Sequence, residues 1–340
     1  MNSIKHKFKI LLFKFFSKNQ FLSSAYYFIT GEFKREQQAV LFGKYQYLVS
    51  EKNNYYMLRR NTHRLEKGLL MRPRKEIFAT NYIFETVNAF YSIVSDHYHK
   101  DIEEIKWSKD VLEEYFSIIG ENTEVKKARN LFNQAIKKID GNNSHIDQKY
   151  IPYKRNRNQS NITYDELLKL SQFRRSVRWF DQISVPRELI DRAVILAEQS
   201  PTACNRQPYE FRIFDNPQLV SELSHIPGGT KGYADNIPTI IAVVGKMNAY
   251  VDERDRHLIY IDSSLAVMSL IYALETEQVS SCIINWPDVE HLDEKITKSL
   301  ELAKDERVVM LLAVGYADKD GLVAYSSKKP IDKIRRYNFE

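Results

Sequence analysis

Apolar residues open the chain at helical spacing: Ile4, Phe8, Leu11, Leu12, Phe15 and Phe16 fall on one face, and Ile10 and Phe13 widen it. Lys5, Lys7, Lys9, Lys14 and Lys18 fill the flanks, with no acid among residues 1–18. The same period returns over 77–95, where Ile83, Val87, Phe90 and Ile93 lie on related faces, and over 107–119 and 124–139, the last with Ala128, Leu131, Phe132, Ala135 and Ile139 on one side. Residues 1–140 therefore read as a helical accessory region. Residues 141–162, rich in Asn, Ser, Gln, Lys and Arg and containing Pro152, read as a linker. From Thr163 the pattern changes. Thr163 stands as an N-cap before Asp165 and Glu166, and helices follow over 186–199 and 262–275. Short apolar runs lie at 211–214 and 239–244 between these helices, and at 281–285 and 308–315 after them. The runs at 239–244 and 308–315 are dense enough for strands buried on both faces. Helices alternating with strands predict an α+β, three-layer fold for residues 163–340.

Composition narrows the function. The chain has 340 residues, 43% of them apolar, which is ample for a large core. Eleven Gly and ten Pro exclude collagen-like and low-complexity readings. Two cysteines, Cys204 and Cys282, make neither a disulfide framework nor a structural zinc site, and point to a reducing, cytoplasmic setting. A net charge of +6 is too weak to imply nucleic acid. Twenty-one Tyr and 18 Phe against 3 Trp are weighted toward the first third. Two readings of the N-terminal helix stay open: peripheral contact with an anionic membrane through residues 1–18, or packing against its own protein or a second copy. Lys14 interrupts the apolar run, and no small-residue cleavage site follows, so a signal peptide is not expected. The glycine-rich dinucleotide and phosphate-loop signatures, the zinc-protease His pair and the nucleophile elbow are all missing.

Three strings carry candidate chemistry. Arg174-Arg175-Ser176-Val177-Arg178-Trp179-Phe180 groups three guanidinium forks and a hydroxyl, a phosphate grip in type. Ser200-Pro201-Thr202-Ala203-Cys204-Asn205-Arg206-Gln207-Pro208 places two amides, Asn205 and Gln207, in a loop where they can meet the edge of a heterocycle. Ser280-Ser281-Cys282-Ile283-Ile284-Asn285-Trp286 is a strand whose backbone can pass a planar ligand. Each alone also reads as ordinary surface, turn or core. Lys328 and Lys329 return positive charge after the last strand.

In order and spacing, these strings over residues 163–334 resemble the nitroreductase-like flavoprotein family. The resemblance implies an α/β/α sandwich with a mostly antiparallel sheet, FMN as cofactor, and a homodimer whose interface builds two flavin sites. It implies phosphate and ribityl contacts from Arg174, its neighbour Arg175, and Ser176. Arg178 would lie near the flavin, Asn205 at its N5–O4 edge, and Gln207 beside it. Ser281 falls in the segment whose backbone faces the ring, and Lys328 would reach the phosphate. The family's Gly-Leu-Gly segment is here Gln278-Val279-Ser280-Ser281. No nucleophile and no metal are implied. The string His63-Arg64-Leu65-Glu66-Lys67-Gly68-Leu69 is similar to an extension in family members associated with bacterial surface-polysaccharide genes; it either reaches over the flavin or forms an ion-paired helical turn. Gly228-Gly229, with Lys231, Gly232 and Tyr233, is a further candidate pocket loop. The implied function is an NAD(P)H oxidoreductase passing hydride to a small organic acceptor by a ping-pong route. The alternatives are an oxygen-dependent flavin oxidase or desaturase of a cell-envelope precursor, and a non-catalytic membrane-associated partner.

Overall fold

The computed structural model describes residues 2–50, 54–97, 102–139, 148–155 and 160–338. Much of the predicted 141–162 linker lies outside them. Seven helices come first: α1 (Asn2–Phe16), α2 (Gln20–Thr30), α3 (Lys34–Val49), α4 (Tyr55–Leu70), α5 (Ile83–His97), α6 (Ile102–Ile118) and α7 (Thr123–Ile139). Helices α4 to α7 close around their own core, in which Leu58, Leu65, Ile83, Phe90, Ile93, Leu112 and Tyr115 are fully buried. The predicted helix over 77–95 begins six residues late. Residues 76–82 instead form a turn held from elsewhere: the Gly120 amide donates to the Glu76 carbonyl and the Tyr115 hydroxyl to the Phe78 carbonyl.

The second half contains α8 (Tyr164–Phe173), α9 (Arg187–Ala197), β1 (Tyr209–Phe214), α10 (Pro217–Ser224), β2 (Thr239–Lys246), α11 (Leu258–Thr276), β3 (Ser280–Asn285), α12 (Glu290–Ser299) and β4 (Glu306–Gly315). Thr163 caps α8 with a reciprocal bond to Glu166, as its position before two acids predicts. The four strands pair antiparallel in the order β1-β2-β4-β3. Alternation sorts their side chains into two layers. Ile240, Ala242 and Val244 pack with α10 and α12, whereas Ile241 and Val243 pack with α9 and α11. This is the α/β/α sandwich expected from the sequence.

Helix α3 joins the two halves. Ala39 and Gly43 recur at a four-residue step and seat α3 on the Met247–Ala249 turn after β2. A Cβ on Gly43 would stand 2.6 Å from the Met247 carbonyl carbon, so only glycine allows this approach. Ion pairs flank the seat: Arg35 to Asp288 at 2.8 Å, and Lys44 to Glu253 at 2.8 Å.

Candidate functional site

The first and third strings meet. Ser176 forms a parallel bridge with Ser281, and the Val177 amide donates to the Ser281 carbonyl at 3.1 Å, so residues 175–177 run along the open edge of β3. Arg174 caps the C-terminus of α8. Arg175 donates to the Tyr325 carbonyl at 3.1 Å, which draws the C-terminal tail, with exposed Lys328, toward the same edge. Arg174, Arg175, Arg178 and Lys328 enter no ion pair among the described residues. The charge of Arg174 acts on Glu275 of α11. Burial raises the pKa of this carboxyl against the opposing charge of Arg174, and its Oε1 lacks a hydrogen-bond partner. Ser281 is buried and presents backbone rather than its hydroxyl to the bridge. Arg178 turns outward; its guanidinium lies 5.9 Å from the Tyr233 ring centroid, which places the 228–233 loop beside the first string. Burial, then Cys282, pushes the Tyr233 hydroxyl up to about 12.

The second string lies elsewhere. Residues 203–205 form a single tight turn at the start of β1, the opposite edge of the sheet. Cys204, Asn205 and Gln207 all have positive φ, at 55°, 52° and 49°. Each such conformation costs a non-glycine residue on the order of 1 kcal/mol or more, and persists only where neighbours over-determine it. Here they do. The Ala203 amide donates to Asp262 Oδ2 at 3.0 Å, the Gln207 amide to Thr202 Oγ1 at 3.1 Å, and Gln207 Nε2 to the Glu198 carbonyl at 3.1 Å. Asp262 is buried. Burial lifts its pKa, while the Ala203 amide and the Tyr250 hydroxyl hold it down. Arg59 of α4 completes the set: Nε donates to the Asn205 carbonyl at 2.7 Å and a terminal nitrogen to Gln207 Oε1 at 3.0 Å.

Helix α11 measures the separation between these groups. Asp262 near its start anchors the amide loop, and Glu275 near its end neighbours Arg174. At 1.5 Å rise per residue they stand about 20 Å apart. That exceeds the distance a ribityl chain sets between a flavin ring and its phosphate. Within one chain, Arg174, Arg175, Ser176 and Ser281 gather at one edge of the sheet, toward which the tail carrying Lys328 runs, and Asn205 with Gln207 lies at the other. The donor chemistry of each group suits FMN: cations outside any ion pair among the described residues for a phosphate, and the Asn205 side-chain amide for a heterocycle edge, the Gln207 amide being engaged by the Glu198 carbonyl and Arg59.

The outer face of α11 bears on how the halves combine. Ile261, Leu265 and Met268 lie on one stripe and are 52%, 45% and 37% exposed, although the opposite face is core. The helix is long and apolar enough to cross a membrane, but half of it is packed inside the fold. No cluster of metal-ligating residues occurs among the described residues.

The His63–Leu69 string lies within α4 and packs into the extension. His63 Nδ1 is 3.6 Å from Glu66 Oε2, Glu66 accepts from the Trp107 indole, and Arg64 stacks on the Tyr82 ring at 3.6 Å. Of the two readings, the contacts of these residues are those of an ion-paired helical turn. The residue that does reach the amide loop is Arg59, one turn earlier. The sequence signal was present: Arg59, His63 and Glu66 follow a helical step on one face.

Residues 172–227 and 223–316 match the family model described as the nitroreductase family. An iodotyrosine deiodinase 1 of Pongo abelii is 24% identical over 200 residues, covering 50% of this chain and 67% of that protein. A putative NAD(P)H nitroreductase, YdgI, of Bacillus subtilis is 24% identical over 213 residues, covering 52% of this chain and 99% of that protein. Among solved structures, an FMN-dependent nitroreductase from Clostridium difficile R20291 aligns with a TM-score of 0.44 at 21% identity, over 51% of this chain and 99% of that one.

Proposed function

We propose that the nitroreductase-family domain spanning residues 172–316 is, with its C-terminal tail, an FMN-dependent NAD(P)H oxidoreductase that passes reducing equivalents to a small organic acceptor. The observation that carries this reading is the pairing of the family match with two half-sites of the right chemistry at opposite ends of α11. When bound, FMN supplies hydride acceptance and donation. The chain supplies grip and orientation. Arg174, Arg175, Ser176 and Lys328 would hold the phosphate with charge-assisted bonds. The Ser281 backbone would back the ring, and Asn205 would present its amide to the ring edge. The relatives include both a nitroreductase and deiodinases, so the acceptor is not fixed by descent.

A homodimer follows from this reading. Each half-site needs a complement, and the exposed apolar stripe of α11 needs cover. Two-fold pairing of the Ile261–Leu265–Met268 stripe would set the basic half-site of one protomer against the amide loop of its partner. The purified protein is expected to be yellow and to release FMN on denaturation. Anaerobic NADH or NADPH should bleach its visible absorption within the mixing time of a spectrophotometer cell. A colourless protein that takes up no FMN on titration would remove the proposal.

The first helix adds a location. Phe8, Ile10, Leu11, Phe13 and Phe15 are exposed beside Lys7, Lys9, Lys14 and Lys18, and no acid precedes Glu32. We extend the proposal to peripheral attachment on an anionic, cytoplasm-facing membrane surface. Deleting residues 1–18 is expected to abolish co-sedimentation with phosphatidylglycerol vesicles while leaving the FMN content unchanged. Equal sedimentation of both forms would refute the attachment.

A further inference from the structure

The loop that offers Asn205 is not held by its own domain alone. Arg59 comes from α4, in the helical extension, and spans to two residues of the loop with two donors of one guanidinium. That guanidinium is itself braced. It lies 5.3 Å from the Trp107 ring centroid, and the Trp107 indole donates to Glu66 one helical face along. A planar fork held over an aromatic face loses little further freedom when it bonds. Its two acceptors, the Asn205 carbonyl and Gln207 Oε1, belong to residues held at positive φ. The tethers from within the domain act on Ala203 and Gln207, on the Asn205 amide, which donates to the Thr202 carbonyl at 3.0 Å, and on Arg206, ion-paired to Asp255 at 3.3 Å. The Asn205 carbonyl is held by Arg59.

We infer that Arg59 is a positioning residue for the Cys204–Gln207 loop, so that the helical extension is a working part of the cofactor site rather than an appendage to it. The inference rests on the flavin reading for its consequence, but the clamp itself can be read without flavin. Arg59 fixes the peptide of Asn205, and this aims the side-chain amide at the position the ring edge would take. The resulting dependence is on the fork, not only on the charge. Lysine can replace one bond from one direction but cannot serve both acceptors in a plane.

The test uses the full chain as wild type, Arg59→Met and Arg59→Lys, each checked for helix content and dimer mass. Two quantities are read: amide hydrogen exchange of residues 203–207 in flavin-free protein, and the dissociation constant for FMN by fluorescence titration. Arg59→Met is expected to speed exchange at 203–207 roughly tenfold and to weaken FMN about tenfold, in line with the loss of charge-assisted hydrogen bonds. Arg59→Lys should fall between, and it carries the test if Arg59→Met does not fold. Wild-type exchange and wild-type affinity in both variants would overturn the inference. Faster exchange in a protein whose wild type binds no FMN would leave the clamp standing and remove the flavin reading instead.

Discussion

Leu265→Glu is expected to turn the protein into a flavin-free monomer. Leu265 sits at the middle of the α11 stripe, between Ile261 and Met268, and is 45% exposed in the protomer. In a two-fold interface the same residue appears twice, so one substitution places two carboxylates in an apolar seam. Desolvating each without a partner costs several kcal/mol, or else each must take up a proton. Dimerisation should weaken by on the order of a hundredfold or more, since each 1.4 kcal/mol is a factor of ten. FMN should leave with the dimer, because the groups proposed to hold its phosphate and its ring edge lie at opposite ends of α11 in any one chain. Leu219→Glu provides the control. Leu219 is also 45% exposed, but it lies on α10, on the other side of the sheet. Analytical ultracentrifugation with simultaneous flavin absorbance checks both outcomes at once. A Leu265→Glu monomer that retained FMN would show that one chain is a complete site, and the half-site argument would fall.

Much of this arrangement was legible in the sequence, and the parts that were not share a cause. The strand predicted at 239–244 is Thr239–Lys246, and the one at 308–315 is Glu306–Gly315. Both are continuous apolar runs buried on both faces, so local composition settled them. Thr163 was readable as a cap because its partner Glu166 is three residues away. The start of α5 was misplaced because bonds to Glu76 and Phe78 come from residues 115–120. Helix α3 falls in the region read as helical, but its bounds carried no signal of their own for a different reason. Its buried positions include Ala39 and Gly43, and small residues packed against backbone leave no hydrophobic period to detect.

The site divides along the same line. The basic string, the amide loop and the Ser281 strand could each be picked out because each is contiguous. Their allocation to two groups about 20 Å apart could not, because it depends on which end of α11 each one meets. Arg59 was missed for the same reason. Its acceptor carbonyl lies 146 residues away in sequence. Residues chosen from a string are those with unusual local company, whereas a clamp is defined by what it reaches.

The extension's role turns on its seat, and Gly43→Val tests that seat most severely. The new Cβ would meet the Met247 carbonyl carbon, Cβ and carbonyl oxygen at 2.6, 2.7 and 2.8 Å. Two of those atoms are backbone, and Met247 is fixed in turn by the hydrogen bond that its amide donates to the Asp305 carbonyl. Neither side can yield by a rotamer change, so α3 must lift. Relief of the glycine helix penalty returns at most about 1 kcal/mol. Against it stands overpacking of roughly 1–3 kcal/mol. Uncovering Ala39, Met247 and Ile259 then adds to the loss. A net destabilisation of about 3 kcal/mol is expected, large for a single substitution. Its signature should be regional. Amide protection should fall first over 34–49 and the 247–250 turn, while Leu112 and Tyr115, in the separate core of α4 to α7, keep theirs. Because α4 follows α3 and carries Arg59, and because Arg206 of the 203–207 loop lies over the Tyr250 ring of the 247–250 turn, that loop should also lose protection. Loss confined to 34–49 and the 247–250 turn, with the 203–207 loop unchanged, would mean that α4 holds its place without α3 and that the two helices dock independently.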